Sequence, residues 1–266
     1  MSYTRESPVM GEPQIGADDL EKLGDAITGW FDKIGPDYAK WLGVPYQPVP
    51  RDYGQMLVEV CYEFKSLLGK PIDPLGKAAQ IAHETAGGQS QFFRERKNPS
   101  GLGAVNDAPN QAIWFESHRE GLQASAAHTL NYTVKGGNRP WQPQPGKRDP
   151  RYPVLQQKGL LGTVVTFADY EQKWAWTDPA KYVATPPEQR YGGRIAALAE
   201  DARIWISTQS NDRPKVERPP IQDCLIPRTH AGRPGLPLDY EWVTIHDTGN
   251  RAYGAGEDAH CRYLQS

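Results

Sequence analysis

A proline and a pair of glycines mark off residues 73–88 as one helix, and a glutamate stands at its end. Asp73-Pro74 supplies a cap and a first-turn proline, LGKAAQIAHET carries the helical pattern, and Gly87-Gly88 stops it. On a helical wheel Leu75, Ala78, Ala79 and Ala82 share a stripe, and Glu84 lies about 180° from it in the last turn. The stripe predicts a face packed on a core, which leaves Glu84 for a cleft. A carboxylate at that position meets the negative end of the helix dipole, which disfavours its ionised form.

The neighbouring text is also helical. Leu20, Leu23, Ile27, Trp30 and Phe31 recur at helical spacing between residues 17 and 42, and Gly35-Pro36 is expected to interrupt that helix. Leu57, Val60, Cys61, Phe64, Leu67 and Leu68 share a second face that ends at Gly69 and Pro71. Residues 92–114 are rich in Gly, Pro, Asn and charge, and they read as a loop or small lobe rather than a helix. FESHREGLQASAAHTLNYT resumes the helical pattern, residues 135–153 form a long Pro-rich loop, and Tyr191, Ile195, Leu198, Ala202 and Trp205 mark a last helix.

The fold class expected is therefore mainly α. A helical extension (1–50) precedes a helical domain with a small loop/β lobe (51–206). The polar, Pro-rich stretch 207–223 reads as a linker. In residues 224–266 the text DYEWVTIHDTGN changes to a β-branched and aromatic run, the start of an α/β unit.

Composition removes several function classes. With 30 basic and 32 acidic residues and a net charge of −2, the chain has no long-range attraction for nucleic acid or an anionic membrane. Cys61, Cys224 and Cys261 form no short pair, so they read as free thiols rather than a disulfide framework or a thiolate zinc site. The first twenty residues lack the apolar core of a secretory signal, and no run is long enough to span a bilayer, so synthesis in the cytoplasm is expected. Thirteen tyrosines and eight tryptophans suit a sugar-binding surface.

Four segments in order, AAQIAHETAGGQSQFF, NPSGLGAVND, WFESHREGLQASAAHTLNY and WAWTDPAKYVATPPEQRYGGRIAAL, resemble the landmarks of glucosaminidase-type domains of the lysozyme-like superfamily. The resemblance covers roughly residues 74–205. It implies a peptidoglycan hydrolase that cuts the β-1,4 glycan strand as an endo-β-N-acetylglucosaminidase without a cofactor. The HET-x-x-x-x-S motif places the catalytic acid at Glu84 and a substrate-side serine at Ser90. The NPSGLG turn, with Asn98, Gly101 and Gly103, resembles the loop that floors the sugar cleft. The functional tyrosine of the TDP…YG segment maps best to Tyr191. Tyr182 is its rival, because residues are inserted between Asp178-Pro179 and Tyr191-Gly192.

Glycoside hydrolysis needs an acid for the leaving oxygen and a partner that stabilises the oxocarbenium-like transition state. Asp107, Glu116, Glu95 and Asp149 are the carboxylates available for the second role, and the substrate's own N-acetyl group is the alternative. Ser90 also suits a helix cap. His83, His118 and His128 share no ligand spacing and read as packing or surface residues. Trp114 and Phe115 read as core, and Trp141, in the Pro-rich loop, as a platform for a sugar face.

The tail, IPRTHAGRPGLPLDYEWVTIHDTGN followed by GAGEDAHCRYL, resembles the opening of zinc-dependent N-acetylmuramoyl-L-alanine amidases. The resemblance makes His246 the first zinc ligand, and the family's further ligands would lie beyond Ser266, so an incomplete amidase domain is expected here and zinc only in a complete one. His260 and Cys261 fall in a segment resembling the family's first helix. The combined expectation is a monomeric, phage endolysin-like wall hydrolase released through a separate membrane pore, with peptidoglycan glycan strands as its partner. The alternatives are a muramidase or lytic transglycosylase on the same fold, or a non-catalytic wall-binding module.

Overall fold

The computed structural model describes residues 2–13, 19–63, 65, 69–104, 112–135, 151–174 and 178–212. The chain divides into two compact units, Met1–Arg213 and Pro214–Ser266, and the second lies outside the described residues, as do Trp141, His246, His260 and Cys261. The first unit is mainly helical. Its helices are α1 (Leu20–Leu42), α2 (Tyr53–Glu63), α3 (Pro74–Thr85), α4 (Gln91–Arg96), α5 (His118–Thr133), α6 (Tyr152–Gln157), α7 (Pro179–Ala184) and α8 (Tyr191–Asp212). No described helix is long and apolar enough to cross a membrane.

The expected break at Gly35-Pro36 does not occur, and α1 runs from its Asp19 cap to Gly43 with Pro36 inside it. An interior proline costs about 3 kcal/mol through a lost backbone bond and a steric clash. Buried Phe31 on one side and buried Ala39 on the other anchor both halves to the core and offset it. Against α1 lies α2, and the two backbones meet at Gly24 and Gly54. A side chain at Gly54 would fall 2.1 Å from the Gly24 carbonyl oxygen. Thr28 Oγ1 closes this crossing, accepting from Gly54 N at 2.9 Å and donating to Gly24 O at 3.2 Å.

At the centre of the unit is α3. Asp73 caps it by accepting from Leu75 N and Gly76 N, at 3.2 and 3.1 Å. The predicted stripe of Leu75, Ala78, Ala79 and Ala82 is fully buried, but so are Gly76, Lys77, Gln80, Ile81 and Thr85. The helix is enclosed on nearly all sides, most heavily by α8.

An N-terminal strap crosses the unit. Tyr3 N donates to Glu200 at 2.9 Å, Val9 N to Val165 O at 2.9 Å, and Asp73 N to Val9 O at 3.0 Å. Isolated bridges pair Pro8 with Thr166 and Met10 with Ile72.

Two further readings change. Within the stretch read as loop, residues 91–96 form the short helix α4, because Ser90 Oγ accepts from Phe93 N at 3.3 Å and Lys97 closes the turn at φ 52°. Helix α8 also continues through residues 207–212, which read as the start of a linker. There Ser207 and Thr208 donate back to the carbonyls of Ile204 and Trp205, at 2.7 and 2.6 Å, so the polar side chains themselves support the turn.

Candidate active site

Glu84 sits in the last turn of α3, half-buried, where Ala86 at φ 49° ends the helix. Its Oε1 accepts two side-chain bonds, from the Tyr191 phenol at 2.5 Å and the Trp174 indole at 2.9 Å. Loss of solvent pushes the Glu84 pKa up. The two donors and the positive charges of Arg151 and Lys77 pull it back without cancelling that rise. The rings around it form one cluster. Trp174 and Tyr191 stack at 6.5 Å between centroids, and His83 meets Tyr191 edge-on at 5.3 Å.

Two glycines put Tyr191 there. As the first residue of α8, Tyr191 is followed by Gly192 and Gly193, where a Cβ would lie 2.3 Å from the carbonyl oxygens of Phe167 and Pro187 respectively. Only bare backbone lets the start of the helix approach the two 3-10 turns Phe167–Tyr170 and Pro187–Gln189 this closely. Trp174 follows the first of these turns, where Trp174 N donates to Tyr170 O at 2.9 Å and its own carbonyl accepts from Arg151 Nη1 at 3.0 Å.

Behind Glu84 the same helix carries a buried polar row. The Lys77 ammonium donates to Gln80 Oε1 at 3.0 Å, Ser125 O at 3.1 Å and Thr129 Oγ1 at 2.8 Å. Gln80 Nε2 then donates to the Tyr191 oxygen at 3.3 Å, so a continuous chain of bonds joins Lys77 to Glu84. Burial pulls the Lys77 pKa down to about 7. Lys77, Gln80 and Glu84 follow an i, i+3, i+7 spacing on an otherwise apolar and small-residue helix. That signal was available in the sequence and was overlooked, as was Trp174.

The other residues singled out from sequence divide between structural and unplaced positions. Ser90 caps α4. Asn98, fully buried, spends its amide on the turn it opens. Nδ2 donates to Leu102 O and Ile113 O, at 2.9 and 3.1 Å, and Oδ1 accepts from Leu102 N at 2.9 Å. Gly101 and Gly103 hold the same turn at φ 59° and 78°.

Glu95 accepts from Gln91 on the exposed side of α4, Glu116 lies exposed ahead of α5, and Asp107 and Asp149 are outside the described residues. Phe115 is core as expected. Trp114 is not: it is 58% exposed, with the Arg96 guanidinium 5.1 Å from its ring centroid, because only its neighbours Phe115 and Ile113 turn inward onto Leu102. His118 packs between Tyr53 and Phe93, and His128 against Trp174.

Tyr182 bonds a different carboxylate. Its phenol donates to Glu171 Oε2 at 2.8 Å, and Arg5 reaches the same carboxylate through Nε and Nη2, at 3.3 and 3.1 Å. Between this pair and Tyr191 opens a cavity of about 260 Å³, also walled by His83, Lys181, Arg190 and Arg194. Gln172, on its edge, holds a left-handed φ of 63°, uncommon for a residue with a Cβ.

No family model matches this chain, and neither the curated proteins nor the solved structures contain a match to it.

Proposed function

We propose that Met1–Arg213 is a lysozyme-like, glucosaminidase-type hydrolase that cuts the glycan strands of bacterial cell wall, with Glu84 as its proton donor. The observation that carries this reading is the bond from Tyr191 to Glu84. The two residues that the resemblance marks as functional are 107 positions apart and meet in one half-buried site.

The chemistry suits an acid. Burial holds the Glu84 proton on more firmly than water would, which a general acid working near neutral pH requires. With Oε1 already accepting two bonds, the acid proton belongs on Oε2, the oxygen left over for a leaving group. Burial raises the Tyr191 pKa well above the ordinary phenol value, so the phenol stays protonated and serves as a donor. When Glu84 gives up its proton, the phenol and the indole remain as two donors to the new carboxylate, and the Lys77 charge lies behind them.

The test is the digestion of purified wall. N-acetylglucosamine at the new reducing ends, read by mass spectrometry, is expected. N-acetylmuramic acid ends would identify a muramidase, and anhydromuramic ends a transglycosylase. Glu84→Gln is expected to lower lysis by about 100-fold or more. Lysis unchanged by that substitution would show that Glu84 is not the catalytic acid, and wall binding without lysis by the parent chain would leave a wall-binding module as the better account.

A further inference from the structure

We propose that the cavity between Tyr191 and Glu171 is a subsite for a carboxylate of the wall polymer, held by Lys181, Arg190 and Arg194. This inference rests on reading the unit as a glycan hydrolase and adds to it which chemical group of the polymer lies beside the cut bond.

The charge inventory of the cavity is one-sided. Glu171 is the one carboxylate among the described residues that line it. That carboxylate is already spent, since it is buried, gripped in a fork by Arg5 and bonded by Tyr182. Arg190 adds a longer ion pair to it, Nη1 to Oε2 at 3.9 Å. Among the described residues, Lys181 and Arg194 therefore face a space whose one carboxylate is already matched by Arg5 and, at longer range, by Arg190.

Both arginines are held in place before any ligand arrives. Arg190 donates from Nε to Thr185 O at 2.9 Å and lies 4.2 Å over the Tyr182 ring, while Arg194 donates from Nε to Gln189 O at 2.9 Å. A guanidinium anchored through Nε, as in Arg194, keeps its Nη donors for a planar anion, the geometry that arginine offers a carboxylate, whereas Arg190 shares Nη1 with Glu171. His83 senses the same field. Its pKa falls to about 4, first through burial and then through the Arg194 charge, so near neutral pH it adds no positive charge of its own.

Location argues for a substrate group rather than a stray ion, because the cavity shares Tyr191 with the Glu84 site. A glycan held there would bring its substituents within reach of the arginines. A neutral amino-sugar polymer has no carboxylate to offer, whereas muramic acid offers one wherever its lactyl group carries no stem peptide.

The test compares two disaccharides on the full chain carrying Glu84→Gln, so that binding is read without turnover. One is N-acetylglucosaminyl-N-acetylmuramic acid with its lactyl carboxylate free, and the other is its N-methylamide. The acid is expected to bind about fivefold or more tightly at low salt, with the ratio shrinking as salt is added. Arg194→Gln with Lys181→Gln, both exposed positions, leaves Arg190 alone in the subsite and should shrink the ratio, mainly through weaker binding of the acid. Equal affinities before substitution, a ratio that survives the double substitution, or no binding of either sugar would overturn the subsite.

The two readings fail separately. Lysis that depends on Glu84 without a carboxylate preference removes the subsite alone. A carboxylate preference without such lysis removes the hydrolase alone.

Discussion

Tyr191 donates its phenolic proton to the same Glu84 oxygen that accepts from Trp174, so the acid is held between a helix start and a turn that lies far from α3 in sequence. Removing one donor changes both position and titration. Tyr191→Phe is expected to lower wall lysis by about 10- to 100-fold, the scale of one lost charge-assisted bond. The phenol favours the ionised carboxylate, so its loss raises the Glu84 pKa, and the alkaline limb of the pH–rate profile should move upward. An alkaline limb that stays in place would exclude Glu84 as the group behind it.

Glu84 itself costs stability. Its folded pKa lies above the unfolded value, so its contribution is fully present in acid and is lost as pH rises through the folded pKa. Glu84→Gln keeps an oxygen for both donors and removes the buried charge. The variant should melt a few degrees higher than the parent chain at pH 7, and the gap should close below about pH 4, read by calorimetry.

The Lys77 row makes a different demand. Lys77→Met leaves Gln80 Oε1, Ser125 O and Thr129 Oγ1 without their buried donor and is expected to cost about 2–4 kcal/mol in urea unfolding. The Lys77 charge also favours ionised Glu84, so the carboxyl resonance of Glu84, followed by carbon NMR, should titrate at higher pH in the variant. An unmoved titration would show that the bond chain to Tyr191 carries no charge effect.

Gly192→Ala tests the approach of α8 to the Phe167 turn. A new Cβ would meet the Phe167 carbonyl carbon at 2.7 Å as well as its oxygen, both backbone atoms with little room to yield. The expected cost is about 2–4 kcal/mol by chemical denaturation, with lysis falling further than stability because Tyr191 is displaced. A neutral substitution would mean that the turn gives way easily.

Asp73 predicts a stability slope. Burial lifts its pKa from 3.8 to about 7, against the bonds from Tyr3, Gly76 and Leu75. Its contribution is therefore complete below about pH 4 and is lost as pH rises through 7. Relative to Asp73→Asn, the parent chain should lose up to a few kcal/mol between pH 4 and pH 8. His83 and His118, both lowered to about 4 by burial, act in the opposite direction, but they do so in both proteins and cancel from the comparison. Parallel melting curves across that range would contradict the assignment.

What the sequence made legible was local and punctuated. Asp73-Pro74 and the glycines after Thr85 define α3 and put Glu84 in its last turn. Where tertiary packing overrides a local signal, the text misleads. Pro36 stays helical because Phe31 and Ala39 are buried around it, and α4 forms in glycine-rich surroundings on the strength of its caps. The site was half readable. Glu84 and Tyr191 are marked by their motifs, but Trp174, which opens the WAWTDP segment, reaches Glu84 from 90 positions away through a turn that has no periodicity to reveal its role. Lys77 and Gln80 went unread for another reason: charged and amide side chains on a helix usually point to water, and here the strap, α5 and α8 enclose them.

The strap has a consequence for how the chain is made. Tyr3 is tied to Glu200 and Arg5 to Glu171, across separations of 197 and 166 residues, and Trp30 of α1 is tied to Asp201 across 171. Contacts of that span are slow to form, because the loop they close must first be ordered. During synthesis the first helices emerge long before the partners that cover them. Native packing around Glu84 therefore waits for α8 to leave the ribosome, and until then the apolar faces of α1 and α3 are the surfaces most in need of a chaperone.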